Sequence, residues 1–496
     1  MHPAFYPSET KPLKSEPDDM AKSVGIIGGG VAGLQTAKAL IRHGFKPTVF
    51  EKAPDVGGVW RSNYKGFGVQ VPKQLYEFPD FPMAGVKRGA YPSGAQVEEY
   101  IKAFVADAKL DAVIQRNTAV QSVEKSAKGD WTFGLEGGKQ QTFDLCVLAS
   151  GLYTKPKPAP KFQGQDEFQA AGGRIVHTSE LQDGPAHDKN DSVVVLGGGK
   201  SSNDVAWEAM KVCTRPPVIV QRAAHWGTPR YIAGLIPFQY VFLSRFGQFL
   251  VEAHVGSWPD RGNDFGPTVL TKPVFRLVEA IFATQLGYHG ENRPKTDVVE
   301  DFYGGAQVTD PEFSAALRQG RIKMRTQVIK KLAKNEVHLE DGTVLPCNVL
   351  ALATGFKLDM GMLSDKLRKQ IGAEDDGVWL YRHMLAPSVD GFALVGGAAT
   401  ISNIATHHLQ AEWIARAWSG KFKLPLAESM RVNVDRMRGW KREWMPQASG
   451  ARANHVLLHQ IHYHDSLYED MGMSSSRKGG LAEYLMPYES KDLKVD

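Results

Sequence analysis

The chain has 496 residues, 42% hydrophobic and 23% charged, with 59 basic against 54 acidic side chains and a formal net charge of +5. That length and balance describe a globular protein of two or three domains and exclude disordered, fibrous and repeat-built classes, and without a basic run nothing points to nucleic acid or an anionic membrane. Three cysteines, Cys146, Cys213 and Cys347, form no C-x-x-C pair, which excludes a dithiol redox centre and predicts a reducing, cytoplasmic setting.

Residues 1–22 are polar and contain Pro, Lys and Asp, so they read as a flexible tail and not as a signal peptide. No apolar run anywhere reaches the ~18 residues that a membrane span needs. Residues 24–27 are apolar and lead into Gly28-Gly29-Gly30-Val31-Ala32-Gly33, followed by a helix-forming stretch over 34–42. This is a strand, tight turn and helix, in which Gly28 permits the turn, Gly30 lets the backbone approach a pyrophosphate and Gly33 lets helix pack on strand. A second strand over 47–50 ends at Glu51, 18 residues beyond Gly33. A carboxylate there accepts from ribose hydroxyls and repels a 2′-phosphate, so the first unit should take FAD or NAD. A strand over 144–149 runs into the small turn Ser150-Gly151.

The pattern restarts about 170 residues later, with an apolar strand over 192–196, the turn Gly197-Gly198-Gly199-Lys200-Ser201-Ser202-Asn203-Asp204 and a helix through Met210. Ser202 stands at the third glycine position and is small enough for close packing. A strand over 218–221 ends at Arg222, read as the counterpart of Glu51; a guanidinium there pairs bidentately with a 2′-phosphate, so this unit should take NADPH. Arg230 is a second candidate. Residues 226–288 are rich in aromatics and aliphatics, with helical windows over 232–251 and 273–286, and a strand over 349–353 reaches Thr354-Gly355, read as the return to the first domain.

The predicted fold class is α/β, with two Rossmann-like dinucleotide-binding domains and a helical insert in the second. The expected division is a first domain over 23–187 resumed at 346–430, a second over 188–345 with its insert at about 226–318, and a helical tail over 431–496. His455, His459, His462 and His464 could share one helical face, but no carboxylate or cysteine completes the set, so a packed or solvated helix is expected and no metal. His407-His408 at a helix start are expected to cap or pack.

Further motifs carry a resemblance. Glu51-Lys52 with Gly57-Gly58-Val59-Trp60, Val71-Pro72-Lys73 with Phe78-Pro79-Asp80-Phe81-Pro82, Gly199 through Asp204, Ala353-Thr354-Gly355-Phe356 and Leu409-Gln410-Ala411-Glu412-Trp413 follow in order. Over about residues 22–425 the chain resembles the flavin-containing monooxygenases, two-dinucleotide flavoproteins. Its tail, Tyr463-His464-Asp465 to Pro487-Tyr488, is similar to a plant branch with N-hydroxylating members.

The resemblance implies FAD at the first turn, NADPH at the second, and O₂ and a small molecule as partners. A C4a-hydroperoxyflavin would act on an amine or sulfide, as in N,N-dimethylaniline monooxygenases, with amine N-hydroxylation favoured. It nominates Gly28, Gly30, Val31, Ala32, Gly33, Glu51, Lys52, Gly58, Val59 and Trp60 around the flavin. Around NADPH it nominates Gly197, Gly199, Lys200, Ser201, Ser202, Asn203, Asp204 and Arg222, with Thr354, Gly355 and Asn403 completing the set. Ser402-Asn403 would precede a helix from Ile404 whose positive end faces the flavin pyrimidine. Gln70 aligns with the asparagine of the N-x-P-K motif and is the candidate catalytic donor.

The motif F-x-G-x-x-x-H-x-x-x-(F/Y/W) is reduced here to Ala171, Gly173, His177 and Leu181, with no W-P-(D/G) ending, which lowers the expectation of ketone oxygenation. His177 is then expected to be a structural link between domains. An NADPH oxidase releasing H₂O₂, a Baeyer–Villiger enzyme and a keto-acid oxygenase are the alternatives. The insert is expected to form a substrate tunnel or a homodimer face.

Overall fold

The computed structural model describes residues 21–182, 187–248, 268–305, 307–445 and 451–495. Most of the tail expected at the N-terminus therefore lies outside the described residues.

Two five-stranded parallel sheets organise the chain. In the first, the strand Ser23–Ile27 is flanked on one side by Lys46–Phe50 and Ile114–Gln115 and on the other by Leu145–Leu148 and Phe392–Leu394. In the second, Val193–Leu196 is flanked by Val218–Gln221 and Lys323–Thr326, and by Val349–Leu352 and Arg174–His177. The central strands are apolar along their length because a parallel sheet is covered on both faces, and Val24, Ile26, Val194 and Val195 have no exposed surface. Each central strand feeds its glycine turn and then a helix, Val31–Arg42 or Lys200–Val212. Each unit also carries a three-stranded antiparallel meander, Val120–Lys125 to Gln140–Phe143 following the strand Ile114–Gln115, and Ile329–Ala333 to Val344–Pro346 following the strand Lys323–Thr326.

The strands cross between units at other points than the sequence suggests. Arg174–His177, expected before a boundary at 187, pairs with Val349–Leu352 in the second sheet, and Val349–Leu352 itself was expected after a boundary at 345. The chain thus enters the second unit before Arg174 and leaves it after Leu352. An apolar strand must be covered, but its sequence does not say by which sheet. The crossing is strapped by a short antiparallel pair, Lys155–Pro156 with Phe356–Lys357.

The helical window over 232–251 is not one helix. Tyr231–Ile232 and Ile236–Pro237 form a hairpin, with Gly234 in the left-handed region at φ 75°, and two short helices follow, Phe238–Phe242 and Arg245–Gln248. Residues 249–251 lie outside the described residues. Proline at 237 cannot donate to a preceding helical turn, which ends any continuous helix there. The window over 273–286 is helical, within Thr268–Leu286. Val71 and Leu75 from the first unit share a core with Trp226, Phe238, Phe282 and Phe302, so the insert sits on the segment around Gln70.

The tail is only partly helical. Ala427–Trp444 and Gln460–Asp470 are helices, and Ala399 exchanges backbone hydrogen bonds with Asn454 and Val456. Because the second helix begins at Gln460, His455 and His459 lie outside it and the four histidines do not line one face. Among the described residues no cluster of three His, Cys, Asp or Glu could hold a metal.

Candidate active site

At the first turn, Gly28 has φ 115° and its N–H donates to the Phe50 carbonyl at 2.9 Å. A Cβ at Gly33 would stand 1.9 Å from the Gly28 carbonyl oxygen, so only glycine lets the helix start this close to the strand. The buried Glu51 carboxylate accepts from the N–H groups of Gly29 and Ala53, both at 2.8 Å. Gly57 donates to the Gly29 carbonyl at 3.0 Å, and a Cβ at Gly58 would meet Gly30 Cα at 3.1 Å. The two glycine segments therefore form a cradle with no side chain between them. Among the described residues the N–H groups of Gly30, Val31 and Ala32 have no protein acceptor, as the start of a helix leaves them. Val59 and the buried Trp60 continue the segment, Trp60 against Phe67 at 4.7 Å and edge-on to Tyr76 at 5.4 Å. Lys52 is exposed.

The second turn repeats this with instructive changes. Gly197 has φ 146° and donates to the Val220 carbonyl at 2.9 Å, which makes Val220 the counterpart of Phe50. Register agrees, since Ile27 faces Phe50 and Leu196 faces Val220. The counterpart of Glu51 is therefore Gln221, and Arg222 matches Lys52, one residue further than the sequence reading placed it. Gln221 is buried, with Nε2 directed to Met324 and Thr326, while Arg222 is exposed and forms no ion pair among the described residues. A neutral amide in place of the repelling carboxylate, beside a free guanidinium, suits a 2′-phosphate. Arg230 does not suit it, because it pairs with Asp310 and stacks on Tyr91 at 3.7 Å.

Ser202 is fully buried and its hydroxyl donates to the Gly199 carbonyl at 2.6 Å. Gly199 faces open space, and the N–H groups of Gly199, Lys200 and Ser201 have no acceptor among the described residues. Lys200 pairs with Asp204. Tyr64, from the first unit, donates to Asp204 at 2.9 Å and contacts Ser201 at 3.3 Å, tying the second helix to the segment after Trp60. Burial raises the Asp204 carboxyl against the opposing pull of Lys200.

Gln70 is held by a strand of the insert. Its Oε1 accepts from Val308 N–H at 2.8 Å. Val308 belongs to the strand Gln307–Thr309, whose Gln307 accepts from Asn203 at 3.1 Å and donates to the Gly198 carbonyl at 3.3 Å. At the turn Thr354-Gly355, Thr354 Oγ1 is buried without a partner among the described residues, and Gly355 has φ 88°. The helix Asn403–Trp418 begins one residue earlier than expected. Asn403 Oδ1 accepts from Thr400 N–H at 3.0 Å, and Ser402 Oγ is buried without a partner among the described residues. His407 and His408 sit within this helix, and burial lowers His407 to about 4. Behind it, Thr400, Thr406 and His464 form a hydroxyl and imidazole chain at 2.7 and 2.8 Å, with burial lowering His464 to about 3. His177 is buried at the crossing, with Nδ1 on Ser179 at 2.8 Å and its ring 5.2 Å from Phe356.

Unpaired helix-start N–H groups, a side-chain-free glycine cradle and orphaned hydroxyls at Thr354 and Ser402 fit two bound dinucleotides. Gln221, Gln307, Val308 and Tyr64 were not singled out from sequence. Counting from the paired strands finds Gln221, but no motif announces the other three.

Two parallel units, each opening on a glycine turn and joined through Tyr64 and Asp204, define a two-dinucleotide oxidoreductase. The family model described as FMO-like, flavin-binding monooxygenase-like, matches residues 21–476, and the chain belongs to that family. It is 26% identical to the probable flavin-containing monooxygenase 1 of Arabidopsis thaliana over 97% of this chain and 98% of that one. It is 28% identical to dimethylaniline monooxygenase [N-oxide-forming] 2 of Mus musculus over 84% and 76%. In fold it is similar to the S-allyl-L-cysteine S-oxygenase of Allium sativum, with a TM-score of 0.63 at 19% identity, covering 92% of this chain and 89% of that one. It is also similar to a cyclohexanone monooxygenase, with a TM-score of 0.63 at 18% identity, covering 80% and 87%. The protein is an FAD- and NADPH-dependent monooxygenase. No described helix is long and apolar enough to cross a membrane.

Proposed function

We propose that the protein transfers one atom of O₂ to a small soft nucleophile, an amine in preference to a sulfide, with N-hydroxylation or N-oxidation as the outcome. The observation that carries this is the fixed Gln70 amide. A backbone N–H can only donate, so Val308 orients Oε1 toward itself and leaves Nε2 as a donor with no acceptor among the described residues. When bound, the flavin, reduced by the nicotinamide, supplies the activation of O₂.

The chain's own work is binding, orientation and exclusion of water. The cradle of Gly30 and Gly58 with the N–H groups of Gly30, Val31 and Ala32 would hold the flavin pyrophosphate, and Glu51 fixes the turn that presents them. Gly199, Lys200 and Ser201 would hold the NADPH pyrophosphate, Arg222 its 2′-phosphate. Trp60, Phe67 and Tyr76 pack together beside the flavin cradle and would help to exclude water there. The N-terminus of the helix at Asn403 would offer partial positive charge to a bound flavin.

The amine and sulfide reading draws support from the names of the mouse N-oxide-forming and garlic S-oxygenating relatives, and from the shortened histidine motif around His177. The experiment is a product assay with a tertiary amine, a primary amine, a thioether and cyclohexanone under NADPH and air. Oxygenated amine formed in preference to sulfoxide, with NADPH consumption, supports the reading; sulfoxide as the main product overturns the preference for amines, and lactone from cyclohexanone as the main product overturns the reading as a whole.

A further inference from the structure

We propose that Gln307 is a positioning residue that couples the second glycine turn to the Gln70 amide, so that dinucleotide at one site sets the donor at the other. The inference rests on the functional reading above and deepens it. Gln307 is buried, and both ends of its amide are committed to the second turn. Its Oε1 accepts from Asn203 Nδ2 at 3.1 Å and its Nε2 donates to the Gly198 carbonyl at 3.3 Å. A carbonyl can only accept, which fixes the amide's orientation without reference to any ligand.

The next residue delivers the other half of the link, because Val308 N–H donates to Gln70 Oε1 at 2.8 Å. One peptide unit thus separates contacts to Gly198 and Asn203 from a contact to Gln70. The strand that carries them is short, Gln307–Thr309, and its one ladder partner is Gly227–Pro229 in a two-stranded parallel sheet. The strand packs through Val308 on the core of Trp226, Phe238 and Phe282, and the side-chain bonds of Gln307 at one end and of Gln70 beside it set its register against the second turn. A shift of Gly198 toward or away from a bound pyrophosphate is carried by Gln307 into Val308, and from there into the direction in which Gln70 Nε2 points. The link is a contiguous hydrogen-bonded path, the kind of connection through which two sites can be coupled.

The test uses the FAD-loaded full chain, titrated with NADP⁺ while binding is followed by calorimetry and the flavin by its absorbance difference spectrum. Gln307→Met removes both amide bonds at nearly constant volume, and Gln307→Asn shortens the amide without adding charge. The expected result for either variant is full FAD content and NADP⁺ affinity within about threefold of wild type, but a flavin difference spectrum reduced by half or more. In the double variant with Gln70→Leu the spectrum should fall no further than in Gln70→Leu alone, because both residues act on one path.

An unchanged spectrum with unchanged affinity overturns the proposal, as does additivity in the double variant. A loss of NADP⁺ affinity of tenfold or more also overturns it, making Gln307 a ligand or a support of the turn. Wild-type protein that binds NADP⁺ without perturbing its flavin contradicts the underlying functional reading itself, and is distinguishable because no variant is needed to see it.

Discussion

The backbone N–H of Val308 lies 2.8 Å from Oε1 of Gln70, joining the segment after the flavin cradle to a strand of the insert. The longer side chain, at a position where the family motif has asparagine, is what reaches that N–H. Gln70→Leu should lower the fraction of NADPH that yields oxygenated product roughly tenfold or more, by removing a donor near developing charge. Gln70→Asn should fall between the two, since a shortened amide no longer reaches Val308. Product and H₂O₂ measured against NADPH consumed decide this; an asparagine variant better coupled than wild type would contradict it.

Coenzyme preference should reside in the pair Gln221 and Arg222. Arg222→Ala is expected to lower kcat/KM for NADPH by about tenfold to a hundredfold, as for a lost charge-assisted bond, with NADH little changed. Gln221→Glu should lower NADPH use further by placing a carboxylate where Glu51 stands in the first unit. Initial rates with both coenzymes measure the ratio.

Glu51 supplies the acceptor for two backbone donors of the first turn. Glu51→Ala leaves the N–H groups of Gly29 and Ala53 without their acceptor, at about 1–3 kcal/mol for the buried Gly29 donor and less for the half-buried Ala53. The purified variant should be largely free of flavin, with a lowered Tm that added FAD restores only in part. Wild-type flavin content in this variant would contradict the role assigned to the carboxylate.

Stability should fall in mild acid through His464. Burial lowers this imidazole to about 3, while the unfolded chain titrates at the ordinary 6.5, so between those values the unfolded state binds the extra proton. Stability therefore rises with pH across that window and is lost as pH falls below 6.5, at up to about 1.4 kcal/mol per pH unit. Denaturant unfolding at pH 7.5 and pH 5 should show a smaller drop for His464→Gln than for wild type, whatever the variant's absolute stability. Equal drops would remove His464 from the account.

The two glycine turns were legible because each packs several independent constraints into a few residues, an apolar strand, glycines at positions where a Cβ collides, and a helix start. Glu51 was legible for the same reason, lying at a strand end whose length is set by the turn it faces. Arg222 was found but placed one position off, because sequence spacing counts residues whereas the ladder of Leu196 with Val220 fixes the register. Val349–Leu352 was assigned to the first unit, since its apolarity reports burial and not the identity of the neighbour, and residues 174–177 fell there through the boundary at 187 alone, no strand having been read in them. Gln307 and Val308 carry no local signal at all. Their role comes from a backbone N–H and an amide brought beside Gln70 across 238 positions of sequence, which no periodicity contains.

Transfer of oxygen from O₂ to the substrate is tested most directly by isotope: FAD-loaded protein, NADPH, ¹⁸O₂ and a small amine or thioether, with the product analysed by mass spectrometry. A monooxygenase is expected to leave one ¹⁸O atom in the product for each NADPH oxidised, and little H₂O₂. NADPH oxidised with an equal amount of H₂¹⁸O₂ and no labelled product from any nucleophile would contradict it, and would make the protein an oxidase.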